Sequence, residues 1–200
     1  MENVWNNIQK AAQAQGPIEW VAVVLSIIYV VLAARENRWC WWFGLVSVIL
    51  YFFLFVRVRL YSDAILQIFY AVMSVYGWFN WSRKEDQIEK IAITTWPWRN
   101  HLLSILGGIV AVFIWGRIWS EFGAALPYID AFTTIFAVIT TFMVARKLLE
   151  NWLYWIVIDL VAMGVYINRE MYLTALLFFI YTLIAISGWI SWRKDFLRTI

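Results

Sequence analysis

The sequence predicts an all-α integral membrane protein of seven transmembrane helices, built as two parallel three-helix repeats joined by a central helix. Three observations carry this. Of 200 residues, 64% are apolar and 14% charged, against about 45–50% and about 25% in soluble domains. Seven apolar runs approach the roughly 20 residues that an α-helix needs to cross a bilayer. Residues of the first repeat also recur near the end of the chain at a fixed offset.

The runs, bounded by charge, are Ile18–Ala34, Trp39–Val56, Leu60–Trp81, Leu102–Trp119, Tyr128–Ala145, Trp152–Ile167 and Met171–Trp192. The sixth is short, and Asn151 or Asn168 can extend it. Pro17, Pro97 and Pro127 stand just before the first, fourth and fifth runs, where a missing N–H costs a helix nothing. The chain thus divides into a polar N-terminal segment (1–17), a first repeat (18–81), a loop with the linking helix (82–127), a second repeat (128–192) and a tail (193–200). The first sixteen residues are polar and amide-rich, so no cleavable signal peptide is expected.

Basic residues set the orientation. One side holds Lys10, Arg57, Arg59, Arg117 and Arg169; the other holds Arg35, Arg38, Arg83, Lys84, Lys90, Arg99, Arg146, Lys147, Arg193, Lys194 and Arg198. Eleven against five places the C-terminus in the cytoplasm and the N-terminus outside, by the positive-inside bias. The charged connection from Ser82 to Asn100 is then cytoplasmic, with Trp96 and Trp98 as anchors at headgroup level.

The repeat is read from pairs at an offset of 111: Arg35 and Arg146, Tyr61 and Tyr172, Tyr70 and Tyr181, Gly77 and Gly188, Trp78 and Trp189, Trp81 and Trp192. Trp39 and Trp42 are matched to Trp152 and Trp155 at an offset of 113. One additional helix separates the copies, so they enter the membrane in the same direction. Such repeats hold a solute site near the midplane between the halves.

Polar groups in hydrocarbon are costly, so their helical phase marks the protected face. On the third run Asp63, Gln67, Tyr70, Ser74 and Trp81 make one stripe; on the sixth Trp152, Trp155, Asp159 and Tyr166 do the same. The fifth offers Asp130, Thr134 and Thr141 with Thr133 and Thr140 adjacent, and the seventh Thr174, Tyr181 and Gly188. Simpler roles compete. Membrane threonines commonly bond their own backbone or join helices; Trp39, Trp152 and His101 suit the interface, Asp63 and Asp130 suit helix ends, and Cys40 is a passive apolar side chain. Asp159, roughly mid-span with no cation in its own helix, is the most telling.

Several classes fall away. One cysteine and one histidine cannot build a Cys/His zinc site, and no G-x-x-x-x-G-K-[ST] loop is present. No lysine lies within a span to form a retinal Schiff base. His101 has no evident serine partner for hydrolysis, and only the presence of Asp130 and Asp159 argues for an aspartyl mechanism. No metal, cofactor or nucleic-acid partner is expected. A facilitator for a small aromatic solute suits the repeat, the stripes and the tryptophans together.

The stretch Ala145-Arg-Lys-Leu-Leu-Glu-Asn-Trp-Leu-Tyr-Trp155, followed by Asp159, Tyr172-Leu-Thr-Ala175, Tyr181 and Gly188, resembles the C-terminal half of PnuC-type nicotinamide riboside transporters. Phe43-Gly-Leu45, Leu60-Tyr61, Leu66-Gln67 and Tyr76-Gly-Trp-Phe-Asn-Trp81 resemble the first half, and Pro127 with Asp130 fits the start of the fifth helix. That family is similar in fold to SWEET sugar transporters, with a 3+1+3 helix order, although their Pro-Gln signature is absent here. The resemblance implies facilitated diffusion of nicotinamide riboside across a bacterial plasma membrane, trapping by intracellular phosphorylation, and a homotrimer in the lipid bilayer. Thiamine or another vitamin, or proton-coupled symport, are the alternatives. Stripes and resemblance together single out Trp42, Gln67, Tyr70, Asp130, Thr134, Asn151, Trp152, Trp155, Asp159 and Tyr181 as the expected substrate-binding set. Asp159 stands where members of the family often carry asparagine.

Overall fold

A computed structural model of the chain describes residues 2–57, 61–82 and 92–199. Leu60, which opens the expected third span, and residues 83–91 of the charged connection lie outside the described residues. Among the described residues eight helices follow in order: α1 (Glu2–Ala14), α2 (Pro17–Ala34), α3 (Cys40–Arg57), α4 (Tyr61–Ser82), α5 (Trp98–Glu121), α6 (Pro127–Ala145), α7 (Asn151–Asn168) and α8 (Tyr172–Thr199).

The structure adds helices at both ends of the chain and differs from the sequence reading in the number of spans. Within the polar segment 1–17, Glu2–Ala14 form a helix that packs on α8 and is tied to α2 by the Trp20 indole donating to the Ala12 carbonyl at 3.2 Å. Helix α8 continues unbroken to Thr199, through most of the segment from 193. Among the described residues, six helices rather than seven are long and apolar enough to cross a membrane. The missing one is α4, 22 residues long but carrying Asp63, Gln67, Ser74, Asn80 and three tyrosines, so the polar stripe that marks it as functional also dilutes its hydropathy.

Prolines and tight C-caps punctuate the chain. Pro17 and Pro127 are the first residues of α2 and α6, and Pro97 caps α5. Helices α2, α6 and α7 each end in the same turn. The N–H groups of Glu36 and Asn37 donate to Ala33 and Leu32, those of Lys147 and Leu148 to Val144 and Met143, and those of Glu170 and Met171 to Ile167 and Tyr166. This pattern needs a left-handed residue after the cap, normally glycine. Here Glu36, Lys147 and Glu170 take it, at φ 53°, 54° and 58°.

Helices α2, α3, α4, α6, α7 and α8 close into a ring, each packed against the next and α8 against α2. Helix α5 lies outside it along α6. Glycines set two of the closest approaches. A Cβ on Gly108 of α5 would lie 2.8 Å from the Phe136 ring of α6, and one on Gly116 would lie 2.4 Å from Tyr128. Outward faces carry bare Phe53, Ile65, Phe113 and Ile114, which suit acyl chains, and an α-helix pairs most of its backbone polar groups within itself, as a membrane requires.

The best-buried cluster sits at one end of the ring, where α2, α4 and α6 stop, α3 and α7 begin and α8 passes Trp192. Four indoles form a chain there. Trp41 meets Trp81 edge-on at 5.5 Å, Trp81 meets Trp192 at 6.0 Å, and Trp192 meets Trp152 edge-on at 5.4 Å. The Trp81 indole N–H donates to the Ala145 carbonyl and that of Trp192 to the Ala33 carbonyl, both at 3.2 Å. Trp41 packs on Gly77 as Trp152 packs on Gly188. The pairing of the repeats through Trp39 and Trp42 is thereby corrected: Trp41 is the counterpart of Trp152, at the same offset as the two glycines, and no two-residue insertion is needed. A cluster of adjacent tryptophans makes the wrong member easy to match.

Candidate functional site

All six ring helices contribute to a central cavity of about 340 Å³, within the range of small-molecule sites. Helix α2 supplies Ser26, Tyr29, Val30 and Ala33; α3 supplies Trp41, Gly44, Ser47, Val48, Tyr51 and Phe55; α4 supplies Gln67, Tyr70 and Ser74. From the other half come Thr141 and Val144 of α6, Trp152, Trp155 and Asp159 of α7, and Phe178, Tyr181 and Ala185 of α8. Neither α1 nor α5 reaches it.

Most hydroxyls of the lining are already committed. Ser47 donates to the Ala22 carbonyl at 2.9 Å, Ser74 to Tyr70 at 2.8 Å and Thr141 to Ala137 at 2.8 Å. Ser26 donates to Val23 at 2.7 Å and shares a 2.5 Å hydrogen bond with the Tyr181 hydroxyl, which links α2 to α8. Gln67 and Asp159 differ from these. Both are buried and line the cavity, and among the described residues neither makes a hydrogen bond or an ion pair within the protein. A buried amide and a buried carboxylate carry a heavy desolvation cost unless something pairs with them. Among the described residues, Asp159 is also the one acidic or basic residue of the lining.

The two halves of the lining are not equivalent. The counterpart of Trp155 in the first repeat is Gly44, whose absent side chain makes room for Tyr29: a Cβ there would lie 2.9 Å from the tyrosine ring. The half containing α6 to α8 thus presents two indoles (Trp152 and Trp155), the Asp159 carboxyl group and the Tyr181 phenol, and the half containing α2 to α4 presents one indole (Trp41), tyrosines, serines and an amide.

Of the expected binding residues, Gln67, Tyr70, Trp152, Trp155, Asp159 and Tyr181 meet in this cavity. Four do not. Trp42 is 48% exposed on the outer face of α3, edge-on to Trp78 at 5.8 Å. Asp130 is exposed in the first turn of α6, and Thr134 lies one turn further, short of the cavity. Asn151 is fully buried behind the lining, its amide donating to the Leu148 carbonyl at 2.6 Å and its carbonyl oxygen without a partner. Among the described residues four threonines bond their own helix, as membrane threonines commonly do: Thr133 to Ile129 and Asp130, Thr140 to Phe136, Thr141 to Ala137 and Thr182 to Phe178. His101 joins α5 to the start of α7 through Glu150 at 3.5 Å and the Tyr154 hydroxyl at 3.0 Å.

Sequence reasoning misses Tyr29, Trp41 and Tyr51. The signal is present in α3, where Trp41, Gly44, Ser47, Val48, Tyr51 and Phe55 fall on one helical face. It is masked because that face is nearly as apolar as the one turned to lipid.

The fold matches the crystal structure of the vitamin B3 transporter PnuC with a TM-score of 0.74, at 21% identity, covering 98% of this chain and 90% of that one. The nicotinamide riboside transporter PnuC of Escherichia coli (strain K12) is 27% identical over 207 residues, covering 89% of this chain and 87% of the relative. The riboflavin/roseoflavin transporter RibM of Streptomyces davaonensis is 23% identical, covering 96% and 94%. The nicotinamide mononucleotide transporter family matches residues 16–194. The chain therefore belongs to that family, and is a multi-pass membrane transporter rather than an enzyme.

Proposed function

We propose that the protein carries a vitamin with a cationic aromatic ring, nicotinamide riboside above all, by facilitated diffusion across a bacterial plasma membrane. The observation that carries this is Asp159: a buried carboxylate facing a cavity of indoles and phenols, with no cation of the protein's own in the lining. A pyridinium ring meets both needs of the site. It stacks on Trp155 through a cation–π attraction of about 0.5–2 kcal/mol and neutralises Asp159, while Gln67 and Tyr70 offer hydrogen bonds to the sugar. A phosphate would find no lysine or arginine in the lining and would face the carboxylate, which favours the nucleoside over its phosphate ester. Phosphorylation inside the cell would then trap the solute.

The transport unit in this reading is a 3+1+3 arrangement: α2 to α4 and α6 to α8 are the parallel repeats, α5 is the linking helix, and α4 crosses the bilayer despite its polar stripe because that stripe faces the cavity. The N-terminus lies outside and the C-terminus in the cytoplasm, supported by the eleven-to-five split of basic residues. The bare outer face of α5 leaves room for a homotrimer.

The test is uptake and binding of nicotinamide riboside, thiamine and riboflavin measured side by side in proteoliposomes, for the parent and Asp159→Asn. Affinity for the cationic solutes should fall more than tenfold, about 1.4 kcal/mol, with little change for a neutral analogue. Preference for riboflavin by the parent, or equal affinity in Asp159→Asn at equal stability, overturns the reading.

A further inference from the structure

The ion pair at the tryptophan end of the ring joins one position to its own duplicate. Glu36 and Lys147 stand at the offset of the repeat, 111. Each directly follows the cap of a helix, and each holds the left-handed backbone that glycine normally takes, at φ 53° and 54°. The Lys147 ammonium reaches the Glu36 carboxylate at 2.8 Å, with side chains 5% and 15% exposed. It also lies 4.7 Å from the centre of the Trp81 ring. Around the pair, the indoles of Trp81 and Trp192 donate to the ends of α6 and α2 respectively, so each half hands a hydrogen bond to the other half's cap.

We infer that Glu36 and Lys147 are a latch that holds this end of the cavity shut, and that it must part for solute to pass there. The reasoning is mechanical. A carrier with a central site must seal each end in turn, and at this end the seal consists of contacts between the halves. The Trp81, Trp192 and Asn80 side chains across it donate to backbone carbonyls and Arg146 reaches the neutral Tyr76 hydroxyl at 3.5 Å, whereas Glu36 and Lys147 bring opposite full charges from the two halves into direct contact. These two partners sit on the ends of α2 and α6, which move apart if the halves separate. The inference rests on the chain being a transporter and not on which solute it carries.

Duplication makes the test sharp. If the two positions are equivalent, the charges are interchangeable, and a lysine at 36 would find Trp192 where Lys147 finds Trp81. The background is Cys40→Ala, which removes the one thiol, with a reporter Ala34→Cys or, separately, Ala145→Cys; both alanines are buried at the latch. A membrane-impermeant maleimide is applied to each side of the vesicle in turn. Labelling from the latch side should be slow in each reporter background, at least tenfold faster in Glu36→Gln and in Lys147→Met, and slow again when Glu36→Lys and Lys147→Glu are combined. Solute exchange should fall in the single variants and recover in the combined one. A static brace predicts instead that single variants lose thermal stability while the folded protein keeps both reporters protected, and that outcome overturns the latch. If the single variants do not fold, the combined variant decides alone: protection with exchange supports the inference, and labelling or lost exchange overturns it.

Discussion

Gly188→Ala adds one methyl group at the point where α8 meets the indole of Trp152. A Cβ there lies 2.6, 2.7 and 2.8 Å from three atoms of that ring, so ordinary contact at 3.4 Å requires the ring to move by about 0.8 Å. Trp152 is 2% exposed and held edge-on by Trp192 at 5.4 Å, which leaves the cavity it lines as the direction of yielding. Overpacking of this kind costs about 1–3 kcal/mol, and alanine in place of glycine within a helix returns about 1 kcal/mol. The net destabilisation is therefore about 0–2 kcal/mol. At the site we expect roughly tenfold weaker solute binding, about 1.4 kcal/mol. The assay is calorimetric titration of nicotinamide riboside with thermal unfolding in the same detergent. Gly107→Ala is the control, since a Cβ on Gly107 meets nothing within 4 Å; it should leave affinity unchanged and stability the same or higher. Parent-like affinity in Gly188→Ala, with unchanged or raised stability, would refute the claim that the glycine sets the position of a cavity-lining indole.

Trp155→Phe should weaken binding of a cationic ring modestly and Trp155→Leu more, because the ring quadrupole is reduced and then removed; equal affinities in titration would take the stacking away from Trp155. Vesicles preloaded with unlabelled solute should exchange it for labelled solute with no ion gradient imposed, and strict dependence on sodium or protons would replace facilitated diffusion with symport. A membrane potential should still bias the distribution of a cation, by about 2.3 kcal/mol per 100 mV, which a potassium diffusion potential measures. A reporter fused to the C-terminus should be active in the cytoplasm; activity only outside would reverse the orientation.

Membrane class, helix positions and the phase of the polar stripes are legible without coordinates, because each is set by how a local segment meets its solvent. Hydropathy marks a segment that belongs in lipid, and proline marks where its helix begins. A carboxylate in the middle of such a segment, Asp159, must face protein, and with helical spacing it brings Trp155 and Trp152 to the same side. Gln67 and Tyr70 follow from the same rule in α4. Contacts between segments are not legible in this way. Trp42 and Trp41 are neighbours in a run of tryptophans, equal in composition and hydropathy, yet at about 3.6 residues per turn one step is a rotation of about 100°, enough to put one on the outer face and the other against Gly77 in the cavity wall. Which of them turns inward is decided by which can pack a glycine on the next helix. The meeting of Glu36 with Lys147 is likewise invisible locally, since each reads as a charge in a cytoplasmic turn; only closure of the ring brings the ends of α2 and α6 together and makes a buried pair of two charges from opposite halves of the chain.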